Sequence, residues 1–157
     1  MKVGEIMSKR PVYCWLSTSA RTAAAIMQEK DVGILAVTKD PFTIELVGVV
    51  TDRDLCLRVI AAGRDPSYIW ISECATLDPV CCTADDDIRQ ALELMKQHQV
   101  RRLPVVNAKQ EVIGMLSLSD LVREGSMSAD EIAAALQKIC EAGQAARKPR
   151  ARIVTAA

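Results

Sequence analysis

The apolar positions of this chain run through one short order of periods, then run through it again. The short run "VYCW" has strand character, and Ala23, Ile26 and Met27 behind it recur at helical spacing. Two further apolar runs, "ILAV" and "LVGVV", flank the turn-rich "KDPFTIE" and read as a hairpin. The order then returns as "VCCT", the helical stripe Ile88, Ala91, Leu92 and Met95, and the runs "LPVV" and "VIGML" across the turn "NAKQE". Hydroxyls and acids in "TSA" and "TADDD" supply an N-cap and first turn for each helix. A second helix follows each hairpin and carries Leu55, Val59 and Ile60 in the first copy. Each copy therefore predicts strand, helix, strand, strand, helix, preceded by a short lead-in, which makes an α/β (α+β) chain of two like units.

The copies align residue by residue. Pro11, Met27, Val32 and Val37 match Pro79, Met95, Val100 and Val105 at an offset of 68, and Gly48, Asp54 and Leu55 match Gly114, Asp120 and Leu121 at 66. The slip falls in the hairpin turns, where insertions are tolerated. The period exceeds the ~20–50 residues of solenoid repeats and so marks a duplicated half-domain. The expected layout is a first unit over 1–62, a linker over 63–70 whose Gly63 and Asp65-Pro66 are stop and turn signals, a second unit over 71–125, a helix over 126–146 and a disordered basic tail over 147–157. In that last helix Ser128 and Glu131 form a capping box, and Ile132, Leu136, Ile139 and Cys140 make an apolar stripe that covers either its own domain or a partner subunit.

Composition narrows the function classes. With 157 residues the chain buries roughly two thirds of its unfolded surface, enough for a core without staples. Aromatics make up 3%, so the core is aliphatic and stacking platforms for single-stranded nucleic acid are few. Twenty basic residues balance twenty acidic ones, leaving no net field toward nucleic acid or an anionic membrane. No run reaches the ~18 apolar residues of a membrane span, and no signal-peptide core opens the sequence, so a cytoplasmic location is expected. The six cysteines are expected as free thiols behaving as small hydrophobes. Cys81 and Cys82 are adjacent on a strand and point to opposite faces, and with the single His98 they give a metal site little to build on.

One element recurs with chemistry attached: "GVVTDRDL" at 48–55 and "GMLSLSDL" at 114–121. Structurally, hydroxyl-x-x-Asp is a capping box at a helix start, although Asp is expected to reach back less well than the Glu used at Ser128 to Glu131. Functionally, a strand running into a helix N-terminus offers amides to a phosphate, the hydroxyl can bond phosphate or sugar oxygens, and the Asp can accept both hydroxyls of a ribose. Arg53 could face phosphate in the first copy; its match is Ser119, so the two sites are expected to differ in charge preference.

These motifs, with "VRRLPVV" and the lead-ins "VGEIM" and "ISECA", resemble the CBS domain, and the pair over about residues 1–125 resembles a Bateman module; "TDRDL" with "IAAGRDP" is similar to short stand-alone bacterial members, including the hypoxic-response type. The resemblance implies two domains packed sheet to sheet about a pseudo-twofold axis, with clefts for adenine nucleotides (AMP, ADP, ATP, NAD) or S-adenosylmethionine as regulatory ligands, no required cofactor, and a homodimer. Carried over, Thr51 and Asp54 hold phosphate and ribose in one cleft and Ser117 and Asp120 in the other. Main chain around Tyr13 and Cys14, or Cys81 and Cys82, reads the adenine edge; Leu35 and Ala36, or Leu103 and Pro104, line the wall, and Arg102 meets phosphate. Ala36 departs from the Pro that many family halves carry there, and Tyr13 and Trp15 are bulky enough to fill the first cleft. The expected function is a non-catalytic sensor that signals to a separate effector protein. The alternatives are a ligand-free interaction module whose tetrads only cap helices, and a thiol redox role, since the chain carries neither a nucleophile elbow nor a Walker loop.

Overall fold

A computed structural model of the chain describes residues 1–141; the expected basic tail and the end of the final helix fall outside the described residues. In chain order the elements are α1 (Val3–Ile6), β1 (Tyr13–Trp15), α2 (Ala20–Lys30), β2 (Ile34–Thr38), β3 (Leu46–Thr51) and α3 (Asp52–Leu55), which widens into a π-helical turn at Cys56–Ile60. A 3₁₀ turn (Ile71–Glu73) leads to β4 (Thr76–Leu77), β5 (Cys82–Thr83), α4 (Ile88–His98), β6 (Arg102–Val106), β7 (Val112–Ser117), α5 (Leu118–Glu124) and α6 (Ala129–Glu141).

The helices start and stop where their ends are chemically satisfied. Ser19 Oγ accepts from the Thr22 amide at 3.1 Å to open α2, and Asp87 with Gln90 closes a capping box on α4. Both helices end on a left-handed residue at matched positions, Asp31 (φ 51°) and Gln99 (φ 55°), after which Val32 and Val100 donate back to the Met27 and Met95 carbonyls at 3.0 Å. The predicted stripe of α4 is buried in full.

In each half a parallel strand and a hairpin make the sheet, β1-β2-β3-β4 and β5-β6-β7, with register slips at matched places, Val37/Thr38 and Val105/Val106. One face of each sheet lies under that half's helices; the opposite faces meet through Ala36, Leu46, Cys81, Val106 and Val112. The symmetry of the meeting is visible in its hydrogen bonds. Leu46 donates to the Gln110 carbonyl and Val112 to the Ile44 carbonyl, both at 2.9 Å, with Glu45 opposite Glu111 between them.

The lead-ins are exchanged. Val3 sits in the core of the second half, its amide on the Asp86 carbonyl, and Ser8 exchanges two bonds with Met115 of β7 at 2.9 and 3.0 Å. Reciprocally, Ile71 and Cys74 sit in the first core, and β4 pairs with β3 at Gly48 and Val49. The glycines of the repeated motif make this possible: a Cβ on Gly48 would meet the Thr76 carbonyl oxygen at 2.9 Å, and one on Gly114 the Ser8 carbonyl oxygen at 2.8 Å.

Two expectations for helix faces need correction. Ile60, grouped with Leu55 and Val59 on this helix, is exposed while those two are buried, and the turn is π-helical here, closed by Ala61 N–H on the Cys56 carbonyl (2.8 Å). The stripe of α6 covers its own half: Ala135 and Ile139 join Met127 in the second core with Ile132 against it, and Arg89 of α4 pairs with Glu131. Leu136 and Cys140 of the same stripe remain exposed.

Candidate functional site

The two tetrads fold into the same object. Thr51 sits at φ −112°, ψ 160°, its Oγ1 accepting from the Asp54 amide at 3.0 Å, while Asp54 Oδ2 accepts from the Thr51 amide at 3.0 Å and from the Thr51 hydroxyl at 2.7 Å. In the second half the Asp120 amide donates to Ser117 Oγ at 3.2 Å, and Asp120 Oδ2 accepts from the Ser117 amide at 2.8 Å and its hydroxyl at 2.6 Å. The expectation that Asp reaches back less well than Glu is not met: the Thr51 and Ser117 amides donate at 3.0 and 2.8 Å, against 2.8 Å from the Ser128 amide to Glu131. Thr51 Oγ1 and Ser117 Oγ both accept and donate, and their donated bond draws the carboxylate onto the cap.

These bonds commit Oδ2 to the cap and leave Oδ1 outside it. Asp54 and Asp120 are 17% and 12% exposed, and their Oδ1 atoms meet Arg58 Nε at 3.5 Å and Arg123 Nη2 respectively. Arg58 also donates to the Cys74 and Ala75 carbonyls at 2.8 and 3.2 Å, tying the first carboxylate to the lead-in that crosses over from the second half.

Around Ser117 the structure opens a depression of about 500 Å³ lined by Arg101, Arg102, Ser117, Leu118, Ser119, Val122, Arg123 and Leu136. Beside it, a second depression of about 550 Å³ brings Asp120, Arg123 and Glu124 against Ile6, Met7 and Ser8 of the first lead-in. The hydroxyl and the acid of one tetrad therefore open on two sides of Arg123. Both are open depressions that face solvent, not enclosed cavities. Arg102 also reaches toward the first half: a Cβ on Gly33 would lie 3.7 Å from its Nη1 and 3.0 Å from Asp52 Oδ2. Arg53 is exposed on the first turn of α3.

The remaining candidates divide by face. Leu35 and Leu103 are fully buried in the cores under the helices, while Ala36 belongs to the cluster between the sheets and Pro104 is buried beside Leu103. Tyr13 pairs with Ala36 and is 40% exposed; Cys14 is buried, its carbonyl accepting from Thr38 Oγ1 at 3.3 Å. Cys81 lies between the sheets and Cys82 in the helix-side core, opposite faces as adjacency on a strand requires. Burial pushes the thiols of Cys14, Cys81 and Cys82 up to about 12, far from the range of a reactive thiolate. Among the described residues no three His, Cys, Asp or Glu come together as a metal set.

Sequence reasoning missed Arg101, Arg123 and Leu136 as lining residues, and the lead-in residues Ile6 to Ser8. Arg123 had a signal, its i+3 spacing from Asp120 on a helix. Ile6 to Ser8 had none, because their place depends on the exchange of lead-ins.

Comparison with known proteins places this geometry. The CBS domain family model matches residues 3–60 and 71–126. The uncharacterized protein YlbB of Bacillus subtilis is 37% identical over 120 residues, covering 76% of this chain and 79% of YlbB. Hypoxic response protein 1 of Mycobacterium tuberculosis is 34% identical over 101 residues, 64% of this chain and 68% of its own; a crystal structure of Hypoxic Response Protein I with two coordinated zinc ions superposes with a TM-score of 0.70 at 30% identity, covering 78% of this chain and 98% of the other. The CBS domain protein PAE2072 of Pyrobaculum aerophilum, solved with AMP bound, superposes with a TM-score of 0.72 at 26% identity, covering 87% and 98% of the two chains. Two matched half-domains, joined sheet to sheet and each ending in the same capped Asp, make this chain a member of the CBS domain family, with both domains in tandem.

Proposed function

We propose that the chain is a non-catalytic regulatory module that binds an adenosine-containing ligand (AMP, ADP, ATP, NAD or S-adenosylmethionine) at the Thr51/Asp54 and Ser117/Asp120 ends and signals to a separate effector protein. The observation that carries the reading is the repeated carboxylate: in both halves Oδ2 is committed to the cap while Oδ1 is left outside it, paired among the described residues with an arginine that a ligand could displace. An outward carboxylate oxygen suits the hydroxyls of a ribose, and the hydroxyl and guanidinium groups beside Ser117 suit phosphate. That PAE2072 was solved with AMP supports the adenosine class.

A ligand regulates only through unequal affinity for two states. The exchanged lead-ins supply a coupling route, since Arg58 joins Asp54 to the carbonyls of Cys74 and Ala75. Exposed Leu57, Ile60 and Val122 on the helices after the tetrads favour a homodimer as the working unit, which sedimentation equilibrium tests.

A second reading has its own observation, the complete capping box in both halves: the tetrads then serve only to start α3 and α5, in a ligand-free interaction module. A thermal-shift panel with the five ligands separates the two. A ligand at 100 times its Kd stabilises by about 2.7 kcal/mol. Shifts of that size, lost in Asp54→Asn or Asp120→Asn, support the sensor; no shift with any of the five supports the cap alone.

A further inference from the structure

The sequence expectation of unequal charge preference rested on Arg53 in the first half against Ser119 in the second, which would make the first half the more cationic. The structure reverses it. Three guanidinium groups, from Arg101, Arg102 and Arg123, line the depression beside Ser117 together with the Ser119 hydroxyl, and none of its lining residues is acidic. At the matching places the first half has Gly33, Ile34 and Leu57, with Asp52 and Arg53 cancelling each other's charge. Arg123 is engaged by Asp120, whereas neither Arg101 nor Arg102 has an ion-pair partner among the described residues; Arg101 donates only to Cys140 Sγ, at 3.6 Å. Asp52 Oδ2 and Arg102 Nη1 lie 3.0 and 3.7 Å from where a Cβ on Gly33 would sit. One wall comes from α6 through Leu136, beyond the residues that the family model matches; the other lining residues lie within the second repeat.

We infer that the depression beside Ser117 selects a polyphosphate chain, that of a nucleoside di- or triphosphate, over a monophosphate; the nucleoside part of this assignment rests on the function proposed above. A monophosphate can engage one or two guanidinium groups, and a second or third phosphate is needed to use the others. Unpaired guanidinium groups grip phosphate by charge-assisted, often bidentate, hydrogen bonds. Arg102 opens β6 with Arg101 just before it, and Arg123, paired with Asp120, sits in α5; both elements pack on the second core.

The test is titration calorimetry on the full chain at physiological salt with ATP, AMP and inorganic tripolyphosphate. Wild type is expected to bind ATP more tightly than AMP, with tripolyphosphate competing against ATP. Arg101→Gln/Arg102→Gln should weaken ATP and tripolyphosphate by about 10- to 100-fold and AMP by less than about threefold. Arg101→Lys/Arg102→Lys, which keeps the charge, should recover part of the loss. Arg21→Gln/Lys39→Gln, which removes two exposed charges elsewhere, should change nothing. Equal affinities of wild type for ATP and AMP, or an unchanged ATP to AMP ratio in the double Gln variant, overturns the inference while leaving adenosine binding intact. Arginine-dependent tripolyphosphate binding with no response to AMP or adenosine instead overturns the proposed function and leaves the anion site standing.

Discussion

Replacing Gly114 by Ala adds one methyl group to a strand whose outer edge the lead-in covers, a change that local propensity would score as neutral or mildly favourable. The structure predicts the opposite. The new Cβ would lie 2.8 Å from the carbonyl oxygen of Ser8, closer than real Cβ atoms approach anything, and that oxygen is fixed because it accepts from Met115 at 3.0 Å while Ser8 donates back at 2.9 Å. Met7 Sδ, also in the way, can swing aside; the backbone cannot. Relief requires the lead-in to lift from β7, and two neutral backbone bonds are worth about 1 kcal/mol each. Overpacking penalties run to about 1–3 kcal/mol, so a loss of roughly 2–3 kcal/mol follows. At ~2–4 °C per kcal/mol for a chain of this size, the melting temperature should fall by about 4–12 °C.

Thermal melts and urea titrations measure the loss, and Gly125→Ala provides the comparison. Gly125 has φ 76° and nothing within 4 Å of its Cβ position, so it costs only left-handed strain, about 1 kcal/mol. If Gly114→Ala melts no lower than Gly125→Ala, the close approach of the exchanged lead-in is not what holds that glycine, and the reasoning fails.

Four further outcomes follow from the same structure. Ser117→Ala removes both the acceptor for the Asp120 amide and the donor to its carboxylate, and should cost about 0.5–2 kcal/mol in urea titrations. Cys56 and Cys140 should react with a thiol reagent at mild pH while Cys14, Cys74, Cys81 and Cys82 react only on unfolding. Because burial raises Cys14, Cys81 and Cys82 from 9.0 to about 12, their contribution to stability is complete below pH 9 and is lost as pH climbs toward 12, which alkaline melts will show. Glu73 is held below its ordinary 4.5 by the Trp70 amide and then Arg64, and Glu131 by the Ser128 amide and then Arg89, so stability present above pH 4.5 should decline as the solution is acidified past it; Glu131→Gln should flatten that decline.

What was legible in the sequence was whatever repeats locally. The stripe Ile88, Ala91, Leu92 and Met95 announced a helix with one buried face because helical period and burial are the same fact read twice. The hairpins and the Ser128 to Glu131 cap were legible for the same reason. The exchange of lead-ins was not, since "VGEIM" and "ISECA" carry the same pattern whichever half they cover, and only the meeting of the two sheets decides it. The trace it left was the glycine. Gly48 and Gly114 match across the repeat, and in the structure they are the places where the other half's backbone crosses. Ile60 was misplaced because a π turn has no period of its own in the sequence.

The same distinction resolves what the tetrad is for. A cap and a ligand grip are competing explanations only if they need the same atoms. In both halves the cap uses the amide, the hydroxyl and Oδ2, and it leaves Oδ1 pointing outward with its rotamer fixed. Capping therefore preorganises the acceptor that a ribose would meet, at no further cost in side-chain freedom when ligand arrives. A Glu in that position could also cap, but its extra rotatable bond would leave the second oxygen less fixed. Under the proposed function Asp would perform both tasks, and Asp→Asn is the change that separates them. The amide carbonyl can still accept from the cap, whereas its nitrogen would present donors to hydroxyls that themselves need an acceptor.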